Sequence, residues 1–309
     1  MLNIYEAQAL NRRKSYIVVL LFFVFVGIAL YVLLNAFSYY YGYQSGSIGI
    51  VFLALTFSSI SSFIGFYFSD SVVLAISGAK KAEKKDYFDF YTVAENLSIG
   101  ANIPMPQLYV IEDSAPNAFA TGRDPKNAVI CATTGLLSKL NRSELEGVIA
   151  HEMTHIKNFD TRLQTIVAVM AGLIALLGDW FLRGRLAVRR SSDNEDNKLG
   201  GLFFLFGIIF ALLSPIIAKL IQLAISRKRE FLADSGSVSI TRQPSGLISA
   251  LKKISLDREP LEVANKATAH LYIVNPFKEV NHGAVGWFSN MFNTHPPVYE
   301  RIKALKKMS

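Results

Sequence analysis

The pentapeptide His151-Glu152-Met153-Thr154-His155 is the stretch of this chain whose residue types and spacing point most directly to a reaction. It lies inside a helical pattern that begins near Glu144. Residues i and i+4 of a helix share a face, so both imidazoles can reach one ion. Zinc accepts two neutral imidazole nitrogens readily. Glu152, beside His151, turns toward the same region, where it can take a proton from an attacking water and later pass it to a leaving amine. The chain has only five histidines, so this motif is not a by-product of a His-rich composition. A purely structural site of the same type would close with a fourth protein ligand.

A hydrolytic site needs a third ligand and an open position. His270, His282, His295 and the acidic pair Glu230 and Asp234 are the candidates. Glu230 and Asp234 share a helix face in the stretch SRKREFLAD, Ser226 to Asp234. One can bind the ion while the other accepts the remaining N–H of a ligand histidine and fixes its tautomer. Periodicity alone equally allows a solvated face beside Arg227, Lys228 and Arg229. His270 and His282 read as loop residues. Asp160 reads as a helix-end residue or a partner of Arg162, without a catalytic role.

The elements that must position these groups are unusually apolar. Of 309 residues, 51% are hydrophobic and 18% charged, against about 25% charged in an average soluble domain. Tyr16 to Phe37 is a 22-residue uncharged run behind Arg12, Arg13 and Lys14, and a membrane span needs roughly 20 such residues. A signal peptide competes with this reading, but no small-x-small cleavage site follows and the run is long for one. A second uncharged stretch is densest over Ile48 to Phe68, so the two form a helical hairpin. Thr165 to Leu182 and Leu199 to Ile225 are further apolar segments, the latter broken by Lys219 and kinked at Pro215. Arg12, Arg13 and Lys14 before the first span, and Lys80, Lys81, Lys84 and Lys85 after the second, place both flanks in the cytoplasm.

His155 precedes the third apolar segment and Glu230 follows the fourth. A shared ion therefore requires that both segments cross the membrane or that neither does. Two crossings are preferred, although they put Arg183, Arg185, Arg189 and Arg190 outside, against the usual bias. The chain divides into a transmembrane hairpin over 1–78, a first catalytic part over 79–163, membrane-embedded helices over 164–225 and a second catalytic part over 226–309. In the polar parts, Asp86 to Leu97 predicts a helix and Asn141 with Glu144 a capping box. Gln107 to Ile111 and Ala128 to Thr133 predict strands, and Glu112 to Pro125 between them a turn region. Gly246 to Lys253 and Pro297 to Lys307 predict helices. The net charge of +8 does not read as nucleic-acid binding, because zinc-finger spacing and aromatic ladders are missing. A bilayer with anionic headgroups accounts for it. Cys131, the single cysteine, cannot form an internal disulfide.

Taken together, the two leading spans, HExxH, two hydrophobic segments after it and RExxAD (Arg229 to Asp234) make a specific combination. NAFATG at Asn117 to Gly122, and His295-Pro296-Pro297 followed by Arg301 and Ile302, add to it. Over essentially its whole length the chain resembles the HtpX-type heat-shock peptidases, integral-membrane zinc metalloendopeptidases related to the type I CAAX prenyl proteases. That resemblance implies an α-helical membrane protein with an α+β gluzincin-like zinc metallopeptidase domain. It implies zinc (Zn2+) held by His151, His155 and Glu230, with Glu152 as general base and Asp234 orienting a ligand histidine. Asn117 and Ala118 correspond to an edge strand against which an extended polypeptide substrate lies, and His295 to a residue that helps the oxyanion. It further implies misfolded or damaged membrane proteins as substrates and a multi-pass protein of the cell inner (plasma) membrane with its site on the cytoplasmic side. The alternative is a CAAX-type prenyl-protein endopeptidase, which shares the chemistry but resembles a larger chamber built from more spans.

Overall fold

The structure is a computed structural model, and it describes residues 4–40, 48–170, 172, 227–257, 259–262, 268, 271–274 and 296–308. Two long helices come first, α1 (Ile4–Tyr40) and α2 (Ile48–Tyr67). Within them Gln8–Val32 and Ile48–Tyr67 are long and apolar enough to cross a membrane. Their large side chains, among them Leu20, Leu21, Ile28, Phe52, Phe57 and Phe63, are uncovered by protein. A soluble core helix would bury such residues. The two helices meet through small groups: Ser58 Oγ donates to the Phe23 carbonyl, and Gly27 lies against Ser58. Residues 160–170 are helical (α7) and pack on α1 through Leu163, Ile166, Val167 and Met170 against Val18 and Phe22. The rest of the third apolar segment beyond residue 172, and all of the fourth, lie outside the described residues.

After α3 (Ser69–Ile76) comes a small sheet of β1 (Lys80–Lys81), β2 (Gln107–Ile111), β3 (Ala118–Gly122) and β4 (Ala128–Thr133), in the order β1-β2-β4-β3. β2 and β4 are parallel, and the other two pairs antiparallel. β2 and β4 fall where their β-branched content predicts. β3 corrects the turn expected over Glu112 to Pro125. Three of its five residues, Ala118, Ala120 and Gly122, have little intrinsic strand preference, but all five are buried against β4 and its surroundings. Tertiary pairing overrides local propensity here. Helix α4 (Phe88–Ala101) also runs further than expected. Phe90, Val93, Ala94, Leu97 and Ala101 keep one face in the core to its end, where Asn102 adopts a left-handed conformation.

The central element is α6 (Arg142–Lys157), which follows the short α5 (Thr134–Lys139). Asn141 and Glu144 form the predicted capping box. Glu144 is buried, and it also accepts from Ser249 Oγ and Lys253 Nζ. Every residue from Gly147 to Ile156 is buried, because α4, the sheet, α8 (Arg227–Thr241) and α9 (Pro244–Leu256) surround the helix. The last described helix is α10 (Val298–Leu305). Two glycines set how closely these helices approach. A Cβ on Gly147 would meet the Leu247 backbone nitrogen at 2.6 Å, and one on Gly236 would meet Thr154 Cγ2 at 2.4 Å. Thr154 cannot swing away, because its hydroxyl donates to the Ala150 carbonyl and its Cβ is itself only 3.1 Å away.

Gly236→Ala is therefore expected to push α8 off α6 and destabilise the protein by about 1–3 kcal/mol. A thermal melt of the detergent-purified variant should fall by several degrees. An unchanged melt would show that the close helix approach is not as described.

Candidate metal centre

Four elements converge on one buried point. α6 supplies His151, Glu152 and His155, and α8 supplies Glu230 and Asp234. The first residue of α7 is Asp160, and α10 supplies Arg301. Buried packing of α6 against α8 brings Glu230 to the two imidazoles across the sequence gap. One ligand atom from each of His151, His155 and Glu230 lies within 4.8 Å of the others. The two Nε2 atoms are 3.2 Å apart, and the Glu230 carboxylate oxygens stand 3.7 Å from His151 Nε2 and 3.6 Å from His155 Nε2. All three residues are buried, which rules out the solvated face that periodicity alone allowed for Glu230 and Asp234.

Each ring is held from behind. His151 Nδ1 is 3.0 Å from Asp234 Oδ1, and His155 Nδ1 is 3.0 Å from Asp160 Oδ2. A carboxylate only accepts, so each Nδ1 carries its proton and each Nε2 turns a lone pair inward. Two lone pairs and a carboxylate aimed at one another in a water-poor interior repel unless positive charge lies between them. Nitrogens about 2.0–2.1 Å from one tetrahedral ion stand about 3.3 Å apart, close to the separation seen. The donor set therefore fits a divalent metal.

Burial and the neighbouring charges set the proton affinities of the two rings apart. Burial, then the neighbouring Arg301 charge, hold His151 well below the usual imidazole range, against the pull of Asp234. Burial also opposes charging of His155, but Asp160, Glu230 and Glu152 outweigh it and hold that ring above the usual range.

Arg301 and Asp160 extend the site beyond what the motifs assign. Arg301 is 1% exposed and forks onto Asp234, with Nη2 to Oδ1 at 2.7 Å and Nε to Oδ2 at 3.0 Å. Its Nη1 donates to the Ile273 carbonyl at 3.2 Å. Burial alone would raise the Asp234 carboxyl, but Arg301 and His151 hold it below its ordinary value, so it stays an acceptor. The sequence marks Arg301 only as a residue after the His-Pro-Pro run. Asp160 is given no catalytic role by sequence, yet it holds His155. Its signal is hidden in the turn: Phe159 takes a left-handed backbone with φ 58°, which carries Asp160 back onto the last turn of α6.

Asn117 and Ala118 lie where β3 begins, at the outer edge of the sheet. The chain itself engages both. Asn117 Nδ2 donates to the Val274 carbonyl at 3.0 Å, and the Ile273 N–H donates to the Ala118 carbonyl at 2.9 Å. Thr133 N–H donates to the Asn117 carbonyl, so by ladder alternation Ala118 and Ala120 turn their backbone groups away from β4. Glu152 is buried, and its charge reaches His155. His295, like His270 and His282, lies outside the described residues.

Residues 85–309 match the model of peptidase family M48. A protease HtpX homolog of Dictyoglomus thermophilum is 42% identical over 304 residues, which cover 98% of this chain and 94% of the relative. That of Thermoanaerobacter pseudethanolicus is 44% identical over 311 residues, covering 99% and 98%. A crystal structure of S. mikatae Ste24p has a TM-score of 0.49 and 17% identity, over 97% of this chain and 67% of that one. The chain thus belongs to peptidase family M48, among the HtpX proteases, and is a metalloprotease.

Proposed function

We propose that this protease uses zinc held by His151, His155 and Glu230, with Glu152 as its general base. The observation that carries this reading is the convergence of two Nε2 lone pairs and the Glu230 carboxylate while both Nδ1 atoms are engaged behind them. Zinc, when bound, supplies a Lewis acid that polarises a peptide carbonyl and makes water a better nucleophile at neutral pH. Glu152 takes the proton of the attacking water and delivers it to the departing amine. Asp234 and Asp160 keep the imidazoles in their ligand tautomers. Arg301 neutralises Asp234 and so keeps it ionised. His295 assists the oxyanion.

Substrate enters as extended polypeptide along the β3 edge, which reads backbone rather than side-chain sequence. With Ala118 already engaged by Ile273, the outward backbone of Ala120 is the next rung for that pairing. The uncovered apolar faces of α1 and α2 support a multi-pass protein of the cell inner membrane. Lys80, Lys81, Lys84 and Lys85 after α2 support a site on the cytoplasmic side, beside anionic headgroups. In this division 1–78 is the membrane hairpin, 79–163 and 226–309 make one catalytic domain, and 164–225 is a membrane insertion between its halves. A protease so placed meets misfolded or damaged membrane proteins.

Glu152→Gln is expected to keep one zinc per chain, measured by plasma emission, and to lose at least about 100-fold of casein cleavage in detergent. Turnover at the wild-type level in that variant would overturn the assignment. Arg301→Met leaves the buried Asp234 carboxylate without its cation and is expected to destabilise the fold by about 3–5 kcal/mol. Arg301→Lys should recover part of the lost melting temperature, and an Arg301→Met protein as stable as wild type would contradict the buried pair.

A further inference from the structure

We infer that Asn11, on the N-terminal helix, is a positioning residue of the metal centre and acts through Asp160 on His155. The inference rests on the ligand reading above. Asn11 is 2% exposed, although it opens the polar run Asn11-Arg12-Arg13-Lys14 at the end of a helix otherwise suited to lipid. Its Nδ2 donates to Asp160 Oδ1 at 2.7 Å and to the Asn158 carbonyl at 3.0 Å. Both partners only accept, so the amide has one orientation. The other oxygen of the same carboxylate, Asp160 Oδ2, is the one that meets His155 Nδ1 at 3.0 Å. A single carboxylate therefore links α1 to a proposed zinc ligand.

The turn that presents Asp160 is strained. A left-handed backbone at Phe159 is unfavourable for a bulky residue and persists only where its surroundings hold it. Helix α1 holds it at four successive positions. Gln8 Nε2 donates to the Lys157 carbonyl at 3.0 Å, and Asn11 donates to Asn158. The Arg12 guanidinium stacks 4.1 Å over the Phe159 ring, and Asn11 closes the series at Asp160. From the far side Arg229 Nη1 stands 3.6 Å from the same oxygen, Asp160 Oδ1. Asn11 is the nearer of the two at 2.7 Å, and both leave Oδ2 to the imidazole. The helix that suits a membrane is in this way also part of the metal-binding machinery, and shifts of α1 relative to α6 change the grip on His155.

The test is zinc affinity of the full-length protein in detergent, measured by competition with a chromophoric chelator. Asn11→Leu, which removes both donors at similar volume, is expected to weaken zinc binding about tenfold. Asn11→Ala, the milder change, should move it in the same direction. Gln8→Leu removes a docking bond of the same helix that does not touch Asp160, and should weaken binding by clearly less than Asn11→Leu. In an Asp160→Asn background, where the carboxylate is already gone, Asn11→Leu should add nothing. Wild-type affinity in both Asn11 variants, an equal loss in Gln8→Leu, or full additivity with Asp160→Asn would each overturn the inference. A wild-type protein that binds no zinc would instead sink the ligand reading on which the inference stands, and the inference with it.

Discussion

Two hydrogen bonds, His151 Nδ1 to Asp234 and His155 Nδ1 to Asp160, decide what the centre of this protein can do. They place both ring protons on the outside and both lone pairs on the inside. With the tautomers reversed, the same HExxH helix would present two N–H donors to each other and bind nothing. Each bond needs a carboxylate kept ionised in a buried place, and such a charge is costly unless paired and hydrogen-bonded. Arg301 meets that need for Asp234. Asn11 and Arg229 meet it for Asp160.

Much of the surrounding architecture follows from those partners. Arg301 comes from α10, so the C-terminal helix must dock beside α8. Asn11 comes from α1, so the N-terminal helix must reach the end of α6. Gly236 and Gly147 let α8 and α9 approach α6 closely enough for Glu230 to face the imidazoles. Buried Val148, Ile149, Met153 and Ile156 fix the rotation of α6 that turns both histidines toward α8. Here the apolar core aims the polar groups, and those groups tie distant parts of the chain to one point.

What could be read from the sequence was local. The i, i+4 histidines, the Asn141 capping box, the β-branched runs of β2 and β4 and the shared face of Glu230 and Asp234 all depend on spacings of a few residues. Strand β3 was not legible as a pattern, because its Ala and Gly residues become a strand only through pairing with β4. The part played by Asp160 was hidden by a left-handed Phe159, a conformation with no Gly or Asn to announce it. Arg301 and Asn11 act across 67 and 149 residues of sequence, and no periodicity connects such pairs. The two long apolar helices α1 and α2 were legible because uncharged length alone carries that signal.

The proposed centre places one metal between the two imidazoles of α6 and the Glu230 carboxylate of α8. Zinc X-ray absorption on the purified protein tests it most directly. The expected nearest scatterers are two imidazole nitrogens at about 2.0–2.1 Å and carboxylate oxygen at about 2.0–2.2 Å, with the protein oxygen lost in Glu230→Ala. A sulfur scatterer, which would point to Cys131, or a shell unchanged by Glu230→Ala would contradict it.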